Sequence, residues 1–309
     1  GGPGAVFWMW FIAIMGAASA FVESTLGQVY KQEIDGEYRG GPAYYIEKGL
    51  GIKWYALLFA FITIISCGLL LPGVQSNSIA SAMNNAFNLP TSELAGVPIN
   101  YMGILVVLLL ALIIFGGVKR LGKASEIIVP FMAGIYILMA LIIIGMNFEK
   151  IPEVLELILS SAFSMNATFG GIMGSAIAWG IKRGIYSNEA GQGTAPHAAA
   201  ASEVKHPAEQ GLVQAFSVYI DTLFVCTATA FMILFTQQYN VVNEENNQMI
   251  VEHIKGVDYT GFTQAAVAHH FPSIGNEFVA IALFFFAFTT IMAYYYYAET
   301  NIAYIIKDK

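Results

Sequence analysis

Four sets of polar side chains interrupt stretches that are otherwise apolar, and their types suit hydrogen bonding and ion ligation rather than covalent chemistry. Gln75 opens the run Gln75-Ser76-Asn77-Ser78 directly after Pro72 and Gly73, which weaken a helix at that point. Its amide can bond a polar solute, or simply bridge to a neighbouring helix at an external interface. The second set runs from Asn166 and Thr168 through Met173, Gly174 and Ser175 to Trp179, with glycines at 170, 171, 174 and 180. A short, glycine-interrupted apolar helix points to a broken helix at a binding site. Close helix packing through small residues, as in Gly170-x-x-x-Gly174, is the competing reading. The third set is Thr289-Thr290 after Phe284-Phe285-Phe286-Ala287-Phe288. Two adjacent hydroxyls can ligate a small hard cation alongside backbone carbonyls, or bond the carbonyl four residues back. The fourth is Asp221, the one ionisable residue inside any of the long apolar runs, which serves either as a proton or cation carrier or as a structural partner for Gln75 or Asn166.

Other chemistries have no support in the sequence. The five histidines lack metal-ligand spacing, no phosphate-loop Lys-Ser/Thr ending follows the glycines, and no Gly-x-Ser-x-Gly or His-Glu-x-x-His is present. No enzyme and no cofactor are expected. Nucleic-acid binding is excluded by a net charge of −7. The 309 residues are 57% hydrophobic and only 11% charged, too little charge to cover the surface of a soluble domain. Cys67 and Cys226 lie within apolar runs and imply no disulfide framework.

The elements that must position these residues are membrane helices. A span needs roughly 20 apolar residues, and seven stretches qualify: 5–22, 54–74, 101–118, 127–146, 168–181, 212–235 and 278–298. They are continuously apolar, not alternating as barrel strands are. Residues 152–163 read as an amphipathic helix at the interface, and 240–272 as a structured external loop. Twelve of the fourteen Lys and Arg residues fall in alternate loops, which makes those loops cytoplasmic. The start at Gly1-Gly2, without a signal-like segment, and the abrupt end at Lys309 fit an internal portion of a longer protein forming a single transmembrane domain. Glu23, Gln28, Glu299 and Asn301, at the inner ends of the first and last spans, read as interfacial.

After the glycine-rich span comes Lys182-Arg183-Gly184-Ile185-Tyr186-Ser187-Asn188-Glu189-Ala190-Gly191-Gln192-Gly193-Thr194-Ala195-Pro196-His197. Physically it is a turn at the membrane edge, with Ser187 or Asn188 available as a cap and Gly191 and Gly193 free to take positive φ. The string resembles the signature of the alanine/glycine:cation symporters, the sodium:alanine symporter family. The opening Gly-Gly-Pro-Gly-Ala-Val-Phe-Trp-Met-Trp is similar too, as are Glu23, Tyr30 and Gly40-Gly41-Pro42-Ala43-Tyr44-Tyr45-Ile46 and the late Phe288-Thr289-Thr290. The resemblance implies a leucine-transporter-like bundle of two inverted repeats, represented here from its second core helix to its eighth. It implies sodium-coupled import of alanine or glycine across the cell membrane by alternating access. Proton coupling and a non-transporting amino-acid receptor stand as alternatives. By the same resemblance Gln75, Met173, Gly174, Ser175 and Trp179 line the substrate pocket. Phe286, Thr289 and Thr290 hold sodium, and Ser187, Asn188, Glu189, Ala190 and Gly191 are the family signature.

Overall fold

The computed structural model describes residues 1–34, 36–89, 93–94, 97–98, 100–115, 117–163, 172–243, 247–257 and 259–307. The apolar runs fold into helices, because in lipid only intra-segment hydrogen bonding satisfies a lone backbone. Helix α1 (Gly4–Val29) leads through a short hairpin (β1, Gln32–Ile34; β2, Glu37–Arg39) and the single turn α2 (Pro42–Tyr45) to α3 (Lys53–Ile65). A π-helical turn, Ser66–Leu70, joins α3 to α4 (Leu71–Phe87), so the helix runs on well past Pro72 and Gly73. Gln75 therefore sits within a helix rather than at its external end. After the two-residue strands β3 (Glu93–Leu94) and β4 (Val97–Pro98) come α5 (Tyr101–Ile114) and α6 (Gly117–Met146). The basic stretch expected as a loop at 119–123 is thus the first part of α6.

Helix α7 (Ile151–Ala162) occupies the expected amphipathic segment, burying Val154 and Ile158 while Glu153 and Glu156 stay exposed. Helix α8 (Met173–Asn188) follows, then α9 (Ala195–Ala201) and α10 (Pro207–Tyr219), which passes through the π-helical stretch Ile220–Cys226 into α11 (Thr227–Thr236). The polar region 240–272 holds the hairpin β5 (Asn240–Asn243) and β6 (Gln248–Glu252) and the helix α12 (Gly261–His270); α13 (Gly275–Lys307) closes the order. Five helical stretches are long and apolar enough to cross a bilayer among the described residues: 4–29, 53–87, 120–146, 207–236 and 275–306. Tyr101–Ile114 is apolar but shorter. The chain is an all-α multi-pass membrane protein. Its helices point large apolar side chains outward, among them Trp54, Phe61, Leu108, Leu138 and Phe216. That distribution suits lipid and would be an aggregation liability in water.

Two helix groups carry the interior. Helix α1 is gripped by α7, α8, α9 and α10. Glycines set these distances: a Cβ on Gly180 would stand 2.5 Å from the Ala5 carbonyl oxygen, and one on Gly4 would stand 2.7 Å from the Ser161 backbone of α7. Association of helices in lipid relies on such close backbone approach. The second group surrounds α13, which packs on α3, α4, α6 and α12. Its core contains Ile79, Val106, Phe288, Ile291, Met292 and Tyr297.

Candidate functional site

Helix α8 carries the glycine-rich segment, and its faces divide the two readings of those glycines. Ala176, Gly180 and Gly184 are buried and pack on α1. Gly174 is exposed, and among the described residues nothing stands within 4 Å of the place its Cβ would take. Asn166, Thr168, Gly170 and Gly171 lie outside the described residues, and with them the segment where a break would fall. At the first turn of α8, Ile172 supplies no side-chain cap, and Ser175 Oγ is buried without a hydrogen-bond partner among the described residues. Trp179 stacks under the cations of Arg183 (5.0 Å) and Lys182 (5.6 Å).

Gln75 of α4 donates through Nε2 to the Tyr186 hydroxyl at 3.4 Å. The Tyr294 side chain of α13 lies within electrostatic range of Tyr186, so α4, α8 and α13 come together there. Thr290 lies one helical turn before Tyr294 on α13. Ser175 stands eleven residues before Tyr186, about 16 Å along α8. The pocket residues expected from the sequence are accordingly strung along α8 rather than gathered at Gln75. Beside them a cleft of about 520 Å³ is bounded by Asn77, Ser78 and Ser81 of α4, Arg183 of α8, and Tyr259, Thr260 and Thr263 around the start of α12.

On α13, Thr289 Oγ1 donates to the carbonyls of Phe285 (3.0 Å) and Phe286 (2.9 Å), and Thr290 Oγ1 donates to Phe286 (2.9 Å). Back-bonding spends the hydroxyl hydrogens within the helix and leaves oxygen lone pairs as the outward chemistry. That donor set is hard and neutral, which fits a small monovalent cation.

The signature string is a hydrogen-bonded joint between α8 and α9. Glu189 takes φ 58° at the end of α8, and Gly191 and Gly193 take φ 81° and 78°. Asn188 Oδ1 accepts the Ala190 N–H at 3.0 Å, so Asn188 supplies the turn's side-chain bond. Ser187 turns away instead, donating to Asp221 Oδ2 at 2.6 Å. The Glu189 carboxylate accepts the hydroxyls of Thr194 (2.9 Å) and Tyr297 (3.4 Å). Asp221 is therefore partnered by the signature itself, not by Gln75.

Four residues expected at the membrane edge belong to this joint. Glu23 is 9% exposed, and its carboxylate accepts the N–H of Gly191 (2.9 Å) and of Gly193 (3.2 Å). Gln28 is buried and donates to the carbonyls of Ala199 and, at 2.9 Å, Ser202. Arg39, also buried, pairs with Glu37 at 3.1 Å and with Glu299. Asn301 is fully buried, and its Nδ2 donates to the Tyr297 carbonyl and meets His197 Nε2, both at 2.8 Å. Their place at the ends of apolar runs suggested an interface; folding turns those ends inward against α9 and the signature turn. His197, one of five scattered histidines in the sequence, is 0% exposed, its Nδ1 is 2.9 Å from the Thr194 carbonyl, and burial pushes its pKa down to about 4. The sequence signal that could have found this network was the run of polar residues at 23, 28, 299 and 301, each four or five from a small or aromatic neighbour in its span.

The family described as the Sodium:alanine symporter family matches residues 1–309. YrbD of Bacillus subtilis (strain 168), by its name a candidate sodium/proton-dependent alanine carrier, is 64% identical over 310 residues, covering 100% of this chain and 62% of that protein. A sodium/proton-dependent alanine carrier protein of Bacillus sp. (strain PS3) is 53% identical over 310 residues, covering 100% of this chain and 68% of its own length. The amino-acid carrier protein AlsT of Bacillus subtilis (strain 168) is 44% identical over 309 residues, covering 100% and 62%. The chain thus spans between 62% and 68% of the length of these relatives.

Proposed function

Because the chain belongs to the sodium:alanine symporter family, we propose that it supplies substrate- and ion-handling helices of a cell-membrane transporter that imports small neutral amino acids, alanine or glycine, with sodium as the coupling ion. The observation that carries the reading is the meeting of α4, α8 and α13 at Gln75, Tyr186 and Tyr294, one turn from Thr290. A leucine-transporter-like arrangement accounts for it, with α1 as the second core helix, α8 as the sixth and α13 as the eighth.

In this mechanism the first turn of α8 faces the amino acid. Its N-terminal amides and the partial positive charge of the helix end hold the substrate carboxylate. Ser175, with an unpartnered buried hydroxyl, adds a polar contact, and the exposed Gly174 leaves backbone within reach. Met173 and Trp179 bound the side-chain space, while Gln75 binds from α4. Sodium is cargo as well as driving force: Thr289, Thr290 and the Phe286 carbonyl are its α13 ligands. Since both ligands favour one conformation, each raises the other's affinity by the same factor.

The test is uptake of labelled alanine and glycine into proteoliposomes of the intact protein, with and without an inward sodium gradient at fixed pH. Sodium-driven accumulation that weakens in the double variant Thr289→Ala/Thr290→Ala is the expected outcome. Unchanged sodium affinity in that variant removes the cation-site assignment. Accumulation that follows only a proton gradient, which the sodium/proton-dependent names of two relatives make the second reading, removes sodium as the coupling ion.

A further inference from the structure

The π-helical stretch Ile220–Cys226 places a carboxylate where the Thr-containing cation site does not use it. Asp221 Oδ2 receives the Ser187 hydroxyl at 2.6 Å and the Thr222 hydroxyl at 3.2 Å, with Cys226 Sγ at 3.9 Å. The direction of these bonds is set from behind: Asn188 Nδ2 donates to Thr222 Oγ1 at 3.0 Å, so the Thr222 hydrogen is left to point at Asp221. Three donors converge on one oxygen, whereas Oδ1 receives no hydrogen bond among the described residues. Ser187, which holds Oδ2, is itself exposed. A π-helical widening inside a membrane helix commonly marks a functional position.

Charge around the group is one-sided. No Lys, Arg or His nitrogen pairs with Asp221 among the described residues. The titratable groups that surround it are Cys226 on its own stretch, Glu189 just after α8, and Glu23 on α1 beyond Glu189. Each of these carboxylates is held by neutral donors: backbone N–H for Glu23, hydroxyls for Glu189 and Asp221. A membrane-embedded carboxylate without a basic partner calls for a cation. The nearby sulfur, and only two hydroxyl oxygens beside the carboxylate, make a poor cage for a hard metal ion. A proton needs no cage.

We propose that Asp221, held by Ser187 and Thr222, is a proton-binding site separate from the Phe286–Thr289–Thr290 oxygens. The proton adds to Oδ1, the oxygen that receives no hydrogen bond among the described residues, and leaves from it; no other bond is made or broken. The proposal rests on the transporter reading for its role in the cycle, but not for the binding itself.

The decisive experiment is infrared titration of the purified intact protein in detergent. Lowering the pH raises a protonated-carboxyl band that is absent from Asp221→Asn and displaced in Asp221→Glu. In Ser187→Ala the band stays but its midpoint moves. A band identical in wild type and Asp221→Asn overturns the proposal. So does removal of the band by sodium at fixed pH, which would assign the carboxylate to sodium. In proteoliposomes the pH profile of residual alanine uptake flattens in Asp221→Asn, and an unaltered profile there is also contrary. Absence of alanine uptake by the wild type under any gradient would refute the transporter reading while leaving the infrared result to stand or fall by itself.

Discussion

Acidification should destabilise this protein through His197, and the structure sets both sign and size. The ring is fully buried, its Nδ1 donates to the Thr194 carbonyl, and its Nε2 accepts from Asn301 Nδ2. Asn301 is held in that orientation because the same Nδ2 donates to the Tyr297 carbonyl. A second proton on His197 would set N–H against N–H in a fully buried site. The ring cannot turn away, since Gly41 presses on it so closely that a Cβ there would lie 2.6 Å from Cδ2. Burial therefore holds the folded-state pKa at about 4, against 6.5 in the unfolded chain. A depressed pKa means that the unfolded chain binds more protons between these values, so stability is complete above about 6.5 and falls as the pH drops toward 4. At pH 5 the loss is about 2 kcal/mol relative to pH 7. The assay is thermal unfolding of the intact protein in detergent from pH 7 to pH 5, in wild type and in His197→Asn. The variant starts less stable, because it loses buried bonds, but its further loss on acidification should be smaller by about 2 kcal/mol. Equal pH dependence in the two proteins, or an imidazole resonance of His197 that titrates near its ordinary value, would refute the reasoning.

Other perturbations follow from the same joints. Gly180→Ala puts a methyl 2.5 Å from the Ala5 carbonyl oxygen and should cost about 1–3 kcal/mol by forcing α1 and α8 apart. Gly174→Ala meets nothing within 4 Å among the described residues and should leave the melting temperature unchanged or slightly raised, so paired melting curves check both. Glu23→Gln replaces a carboxylate that accepts two backbone N–H groups by an amide with one acceptor, a loss of about 1–3 kcal/mol. Hydrogen exchange at the Gly191 and Gly193 amides should accelerate in that variant, as mass spectrometry of the peptide would show. Arg39→Lys replaces a planar fork between Glu37 and Glu299 by a single ammonium, so Glu299→Ala should cost less stability in the lysine background than in wild type, as paired melting curves would show.

Much of the architecture was legible in the chain because lipid imposes a simple rule. Continuous apolar runs must be helical there, and the runs at 5–22, 127–146, 212–235 and 278–298 all lie within long helices. The amphipathic helix after Pro152 was readable from its spacing, with Val154 and Ile158 four residues apart on the buried face and Glu153 and Glu156 exposed. Family membership was legible in the Ser187–Gly191 string and the residues around it. Helix ends were less so: hydropathy does not register that α4 continues beyond Gly73 to Phe87, since Asn and Ser bond as well to a helix as to water. The partners of the polar residues could not be read at all. Asp221 and Ser187 are 34 residues apart, Glu23 and Gly191 are 168 apart, and Asn301 and His197 are 104 apart. Sequence fixes which residues can hydrogen-bond and, through burial in lipid, that they must. Which donor meets which acceptor is decided only when α1, α8, α10 and α13 pack, because a hydrogen bond is a matter of a few tenths of an ångström.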